Sequence, residues 1–161
     1  MDKLLLNQIR RPIGRHHNLD RFILHIAKRG PLWFFLILGL LALQGAYLPV
    51  LAAILAATAT RALNELLGRL YFRQRPFIQE GFEPLLPHAP TSSFPSNHAA
   101  CGFALAVAVW LLLPPVGIPM LLLAALLALS RVYVGVHYPA DILLGSLIGT
   151  AVAHLTVFLL Q

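Results

Sequence analysis

A succession of apolar runs, each close to the ~20 residues a helix needs to cross a bilayer's hydrocarbon core, restricts this chain more than any other feature. The runs extend from about Pro31 to Leu48, Pro49 to Phe72, Ser96 to Leu113, Gly117 to Val134 and Pro139 to Leu160. Inside lipid, backbone N–H and C=O groups find partners only within a helix or a closed barrel, and runs of this length read as helices. Composition agrees: 58% of the 161 residues are hydrophobic and 11% are charged, against roughly 45–50% and 25% in soluble domains. The expected fold is all-α and integral to the membrane. It is one bundle of about five transmembrane helices in a single domain spanning 1–161, with no length left for a second domain.

Before Pro31 lie Lys3, Arg10, Arg11, Arg15, Arg21, Lys28 and Arg29, with Leu19, Phe22, Ile23 and Ile26 at helical spacing. Residues 1–30 therefore read as a basic segment with an amphipathic interfacial helix whose partners are anionic membrane lipids, its first half being equally readable as a loosely ordered basic tail, and 31–161 as the bundle. Pro31 suits the first position of a helix. A net charge of +6 would suggest nucleic acid in a soluble chain; here the basic residues flank apolar runs, and no nucleic-acid partner is expected. No cleavable signal is expected either, because residues 1–30 lack an uninterrupted apolar core followed by small residues. Cys101, the single cysteine, reads as a small packing residue.

The second run ends in the polar loop from which the third begins, and the fourth ends in the turn from which the fifth begins, so both polar segments share one membrane face. The first carries Arg73, Arg75, His88, Ser92, Ser93, Ser96, Asn97 and His98; the second carries Ser130, Arg131, His137 and Asp141. Such groups are costly to keep in a greasy bundle and point to function. Arginine forks suit phosphate oxygens, and Ser96 opens a helix whose first N–H groups are free to bind an anion. His137 and Asp141 stand four apart around Pro139, a spacing that lets a carboxylate hold one imidazole nitrogen while the other attacks. His98, one turn into the third run, is placed to protonate a leaving oxygen. No cluster of Asp, Glu or Cys offers a divalent-metal site, so neither metal nor cofactor is expected. Arg61, Glu65 and Arg69 share a helix face, as an ion-pair ladder or a headgroup path. Gly145 and Gly149 suit close helix packing, His154 reads as a donor to a neighbouring helix, and His88 as a loop residue.

These residues resemble the type-2 phosphatidic acid phosphatase superfamily of membrane lipid phosphatases, whose signatures are Lys-x6-Arg-Pro, Pro-Ser-Gly-His and Ser-Arg-x5-His-x3-Asp. Arg75-Pro76 matches the end of the first, Pro95-Ser96-Asn97-His98 the second with Asn for Gly, and Ser130-Arg131, His137 and Asp141 the third in full spacing. Gly68 stands where the first signature has its lysine, and Arg69 beside it is turned about 100° around the helix. The resemblance covers Asn64 to the C-terminus, and LYFRQRPF with LLPHAPTSSFPSNH is most similar to the bacitracin-resistance branch of undecaprenyl-diphosphate phosphatases.

The resemblance implies a multi-pass enzyme of the cell membrane that hydrolyses a lipid phosphate through a phosphohistidine. In it His137 attacks phosphorus, Asp141 orients His137, His98 protonates the leaving group, and Arg75, Arg131 and Ser96 hold phosphate oxygens. Asn97 narrows the pocket or adds an amide donor, and Arg69 and Arg73 are further phosphate-binding candidates. The implied substrate is undecaprenyl diphosphate, which would place the chain in peptidoglycan biosynthesis and bacitracin resistance. Hydrolysis of phosphatidate or phosphatidylglycerophosphate, and lipid binding without catalysis, are the alternatives. Orientation divides two arguments. Seven basic residues before the first span put the N-terminus and the polar face in the cytoplasm, whereas the resemblance implies the outer face, which is adopted on that ground.

Overall fold

The structure is a computed structural model that describes residues 2–161. Its described residues form seven helices in the order α1 (Asp2–Arg10), α2 (His17–Leu43), α3 (Tyr47–Leu70), α4 (Pro76–Gln79), α5 (Asn97–Leu112), α6 (Pro114–Tyr133) and α7 (Pro139–Leu160). Helices α2, α3, α6 and α7 are long and apolar enough to cross a membrane. The expected third span is α5, which has only 16 residues and so extends ~24 Å at 1.5 Å per residue. It is apolar on every side, the pattern of a helix enclosed by others, and α3, α6 and α7 pack around it. Ala99, Ala100, Ala104, Ala106 and Ala108 are all 0% exposed.

Two boundaries differ from expectation. The amphipathic pattern around Leu19–Ile26 and the first apolar run form one unbroken helix, α2, with Pro31 in its interior instead of at its start. Proline has no N–H to give the carbonyl four residues back, a loss that a membrane helix tolerates when another donor serves the freed oxygen. The orphaned carbonyl is that of Ala27, and it accepts Arg131 Nη1 at 3.3 Å. At the other side of the bundle, Pro114 opens α6 at its first position, so α5 and α6 meet at Leu113 with no loop.

Close packing comes from missing side chains. A Cβ on Gly149 would fall 2.0 Å from the Ala100 carbonyl oxygen, and one on Gly145 2.8 Å from that of Ser96. These contacts bring the first turns of α5 and α7 together, where Ser96 N–H donates to the Asp141 carbonyl at 3.2 Å. The short helix α1 folds onto the same end, with Leu6 fully buried and Lys3 paired to Glu80 at 2.9 Å.

Candidate functional site

His137 lies in the turn between α6 and α7. The turn passes through Gly135 at φ 88°, and the Val136 and His137 N–H groups donate to the Arg131 carbonyl at 3.1 and 3.3 Å. The residue is 3% exposed. Its Nδ1 is 2.7 Å from the Ser93 carbonyl oxygen, which can only accept, so Nδ1 carries the proton and Nε2 the lone pair. Nε2 sits 3.3 Å from Arg75 Nη1. Burial first, then the charges of Arg75 and Arg131, push the imidazole well below its ordinary range, so it is neutral and nucleophilic at neutral pH.

Asp141 does not make the expected bond to that ring: its Oδ2 is 3.9 Å from Nδ1. Its oxygens are taken by the Ser93 hydroxyl, the Tyr138 N–H at 2.8 Å and Arg73 Nη1 at 2.7 Å. Ser93 therefore stands between carboxylate and imidazole, its hydroxyl on one and its carbonyl on the other. Arg73, expected among the phosphate ligands, is instead committed to Asp141 and to Asp2, 2.6 Å away, with its guanidinium 4.1 Å over the Tyr138 ring.

The free face of His137 borders a polar cavity of about 790 Å³ that also touches Arg61, Arg69, Arg75, His88, Asn97 and His98. Arg75 is 5% exposed and held by the Val136 carbonyl at 2.8 Å, Thr91 Oγ1 at 3.0 Å and the Ser92 carbonyl at 2.9 Å. Burial lowers its pKa to about 10 against the pull of Asp141, which leaves it a cation at neutral pH. Asn97 Oδ1 accepts Asn64 Nδ2 at 3.0 Å, so the Asn97 amide presents its N–H groups. Arg61, Asn97 and His98 also line a second, apolar cleft of about 320 Å³ between α2, α3 and α5. The two spaces meet at those three residues.

The other expected residues sit close by. Ser96 caps α5, fully buried, with no partner for its hydroxyl among the described residues. Arg131 is 2% exposed, and its Nε also lacks a partner among them. Neither borders the cavity. Gly68 is pressed by the chain: a Cβ would lie 3.2 Å from the Phe94 carbonyl oxygen, so the Ser92–Phe94 segment occupies the space a lysine stem would need. Arg61 pairs with Glu65 at 3.2 Å. His154 bonds within its own helix, to the Thr150 carbonyl at 2.9 Å, and not to a neighbour as expected.

The sequence placed Ser93 and His88 in the polar segment but gave neither a role in the site, and Thr91 went unnoticed. His88 meets the His137 ring edge-on at 6.4 Å, and burial foremost lowers its pKa. Asn64, a lone amide inside an apolar run, carried a signal that could have found it.

A match to the PAP2 superfamily extends over residues 46–161. The chain belongs to this superfamily. It is a multi-pass membrane protein of a lipid phosphatase family. It is 35% identical over 138 residues to undecaprenyl-diphosphatase BcrC of Bacillus subtilis, an alignment covering 83% of this chain and 71% of the relative. Among solved structures it resembles Aquifex aeolicus LpxE, with a TM-score of 0.83 and 29% identity over 98% of this chain and 94% of the other. It also resembles the first transmembrane PAP2 type phosphatidylglycerolphosphate phosphatase from Bacillus subtilis, at 0.70 and 26% identity over 98% and 85%. Such a range of PAP2 relatives fixes the family and leaves the lipid to be argued from the site.

Proposed function

We propose that this PAP2 protein hydrolyses undecaprenyl diphosphate to undecaprenyl phosphate and inorganic phosphate through a phosphohistidine on His137. The observation that carries the reading is the Nδ1–H of His137 held on the Ser93 carbonyl at 2.7 Å, with Nε2 beside Arg75 at 3.3 Å. Nε2 attacks the terminal phosphorus, and the bond to the bridging oxygen breaks. His98 gives that oxygen a proton as it departs and is left neutral. Water, giving a proton to His98, then cleaves the N–P bond and frees phosphate. Arg75 turns the Nη1–H that faces Nε2 onto a phosphate oxygen as phosphorus takes the lone pair, the Asn97 amide is a further donor, and Arg131 adds its charge without bordering the cavity.

The substrate follows from the shape of the site and the relatives. A polar cavity that opens through His98, Asn97 and Arg61 into an apolar cleft takes a phosphate head on one side and a hydrocarbon tail on the other. Arg61 and Arg69 border the polar side beyond the reacting phosphate, where a second phosphate of a diphosphate would lie. The chain's similarity to a relative named as an undecaprenyl-diphosphatase agrees. The proposed reaction uses no metal ion. The polar face, which carries α1 as well, is assigned to the outer side of the membrane on the resemblance.

The test is phosphate release by purified protein in detergent with excess chelator. Undecaprenyl diphosphate is expected to be turned over with kcat/KM at least about tenfold above phosphatidate, a difference of ~1.4 kcal/mol. His137→Ala is expected to be inactive. Better turnover of phosphatidate would overturn the substrate, and an active His137→Ala would overturn the chemistry.

A further inference from the structure

Helix α1 is tied to the site at a single carboxylate. Both oxygens of Asp2 are engaged: Oδ1 accepts the Ala140 N–H in the first turn of α7 at 3.0 Å, and Oδ2 accepts Arg73 Nη2 at 2.6 Å. Arg73 gives its other terminal nitrogen to Asp141 at 2.7 Å. From Asp141 the contacts run through the Ser93 hydroxyl and carbonyl to His137 Nδ1. The path from Asp2 to the attacking ring has no gap. Burial alone would lower the Arg73 pKa, but the bond to Asp2 and the charge of Asp141 outweigh it and raise it.

We propose that Asp2 is a positioning residue for the nucleophile, fixing Arg73 so that Asp141 and Ser93 hold His137 in its attacking orientation. This rests on the reading of His137 as the nucleophile. Helix α1 does not need Asp2 to stay in place. Leu6 is fully buried against Val132, Tyr138 and Ile142, Lys3 pairs with Glu80 at 2.9 Å, and the Arg10 guanidinium lies 3.5 Å from the centre of the Phe82 ring. What Asp2 adds is charge and direction. Asp2, Arg73 and Asp141 together carry one net negative charge, facing a ring that gains positive charge as it attacks. Without Asp2, Arg73 cancels Asp141 and is free to turn out of the plane that aims it.

The experiment is a double-mutant cycle on the full chain, read as kcat and KM for undecaprenyl diphosphate. Asp2→Asn is expected to lower kcat about tenfold with KM within about twofold, because the loss falls on the transition state. In an Arg73→Met background the same substitution is expected to change kcat by less than about twofold, since the link it acts through is gone. Asp2→Glu keeps the charge and is expected within about threefold of the parent. Lys3→Ala breaks another bond of α1 and is expected to leave kcat unchanged. Equal losses from Asp2→Asn in both backgrounds, or a matching loss in Lys3→Ala, would overturn the inference and leave Asp2 an anchor only. A dead His137→Ala beside a fully active Asp2→Asn overturns the inference alone, whereas an active His137→Ala overturns the nucleophile and this inference with it.

Discussion

Replacing Asp141 by Asn separates two ways of orienting a histidine. Where a carboxylate bonds the imidazole directly, its amide replacement selects the wrong tautomer and costs about 10⁴ in kcat. In this protein the Ser93 carbonyl holds Nδ1–H at 2.7 Å, and the substitution leaves that carbonyl in place. What is lost is the charge of Asp141, 3.9 Å from Nδ1. Two unit charges at that separation attract by about 4 kcal/mol at an effective dielectric constant of ~20. Since the ring's positive charge is shared between its two nitrogens, about half of that, ~2 kcal/mol, acts at Nδ1. The expected loss in kcat is therefore about thirtyfold, with roughly a thousandfold as the ceiling. The assay is steady-state phosphate release, with a rapid-quench measurement of acid-labile phosphoenzyme to isolate the first chemical step. Ser93→Ala, which keeps the carbonyl and removes only the hydroxyl, is expected to lose about tenfold or less. A loss in Asp141→Asn as complete as that of His137→Ala would refute the reasoning, because the Ser93 carbonyl would then not be setting the tautomer.

Gly149→Ala is expected to destabilise the protein by about 3 kcal/mol or more, the upper end for overpacking, because the added Cβ meets the Ala100 carbonyl at 2.0 Å and backbone cannot step aside. Thermal unfolding in detergent checks it against Gly39→Ala, where a Cβ has open space. Burial keeps His137 neutral in the native state while the unfolded chain protonates it near the ordinary 6.5. Below that pH the unfolded state binds more protons, so stability rises with pH up to about 6.5. The melting temperature should fall on acidification, and part of that fall should disappear in His137→Gln. A cysteine at exposed Glu83, in a Cys101→Ala background, is expected to react with an impermeant maleimide in intact cells. Labelling only after lysis would put the site in the cytoplasm.

The membrane spans were legible because burial in lipid demands long apolar stretches, and all but the first began and ended within a few residues of the helices. Pro31 was misread because its defining feature, a missing N–H, looks the same at a helix start as in its interior. The donor that makes the interior tolerable, Arg131, lies 104 positions beyond Ala27, whose carbonyl it serves. In the site, the residue types were legible and their partners were not. Arg73, two residues from Arg75, reads as a second phosphate cation until Asp2, 71 positions earlier, is seen to hold it. Ser93 was legible only as one polar group of its loop, since its value lies in presenting two different oxygens to two neighbours, and only the folded loop arranges that.

On the proposed reaction, the junction of cavity and cleft at Arg61, Asn97 and His98 would give the two products separate exits. Phosphate would depart into water, while the shortened lipid would slide back sideways between the helices without leaving the bilayer. The encounter that limits such an enzyme is two-dimensional, set by how crowded the lipid is on the surface and not by how much of it is in the tube. Adding detergent at a fixed amount of substrate therefore slows turnover by dilution within the micelle, and the accumulating lipid product competes for the same groove from the same plane.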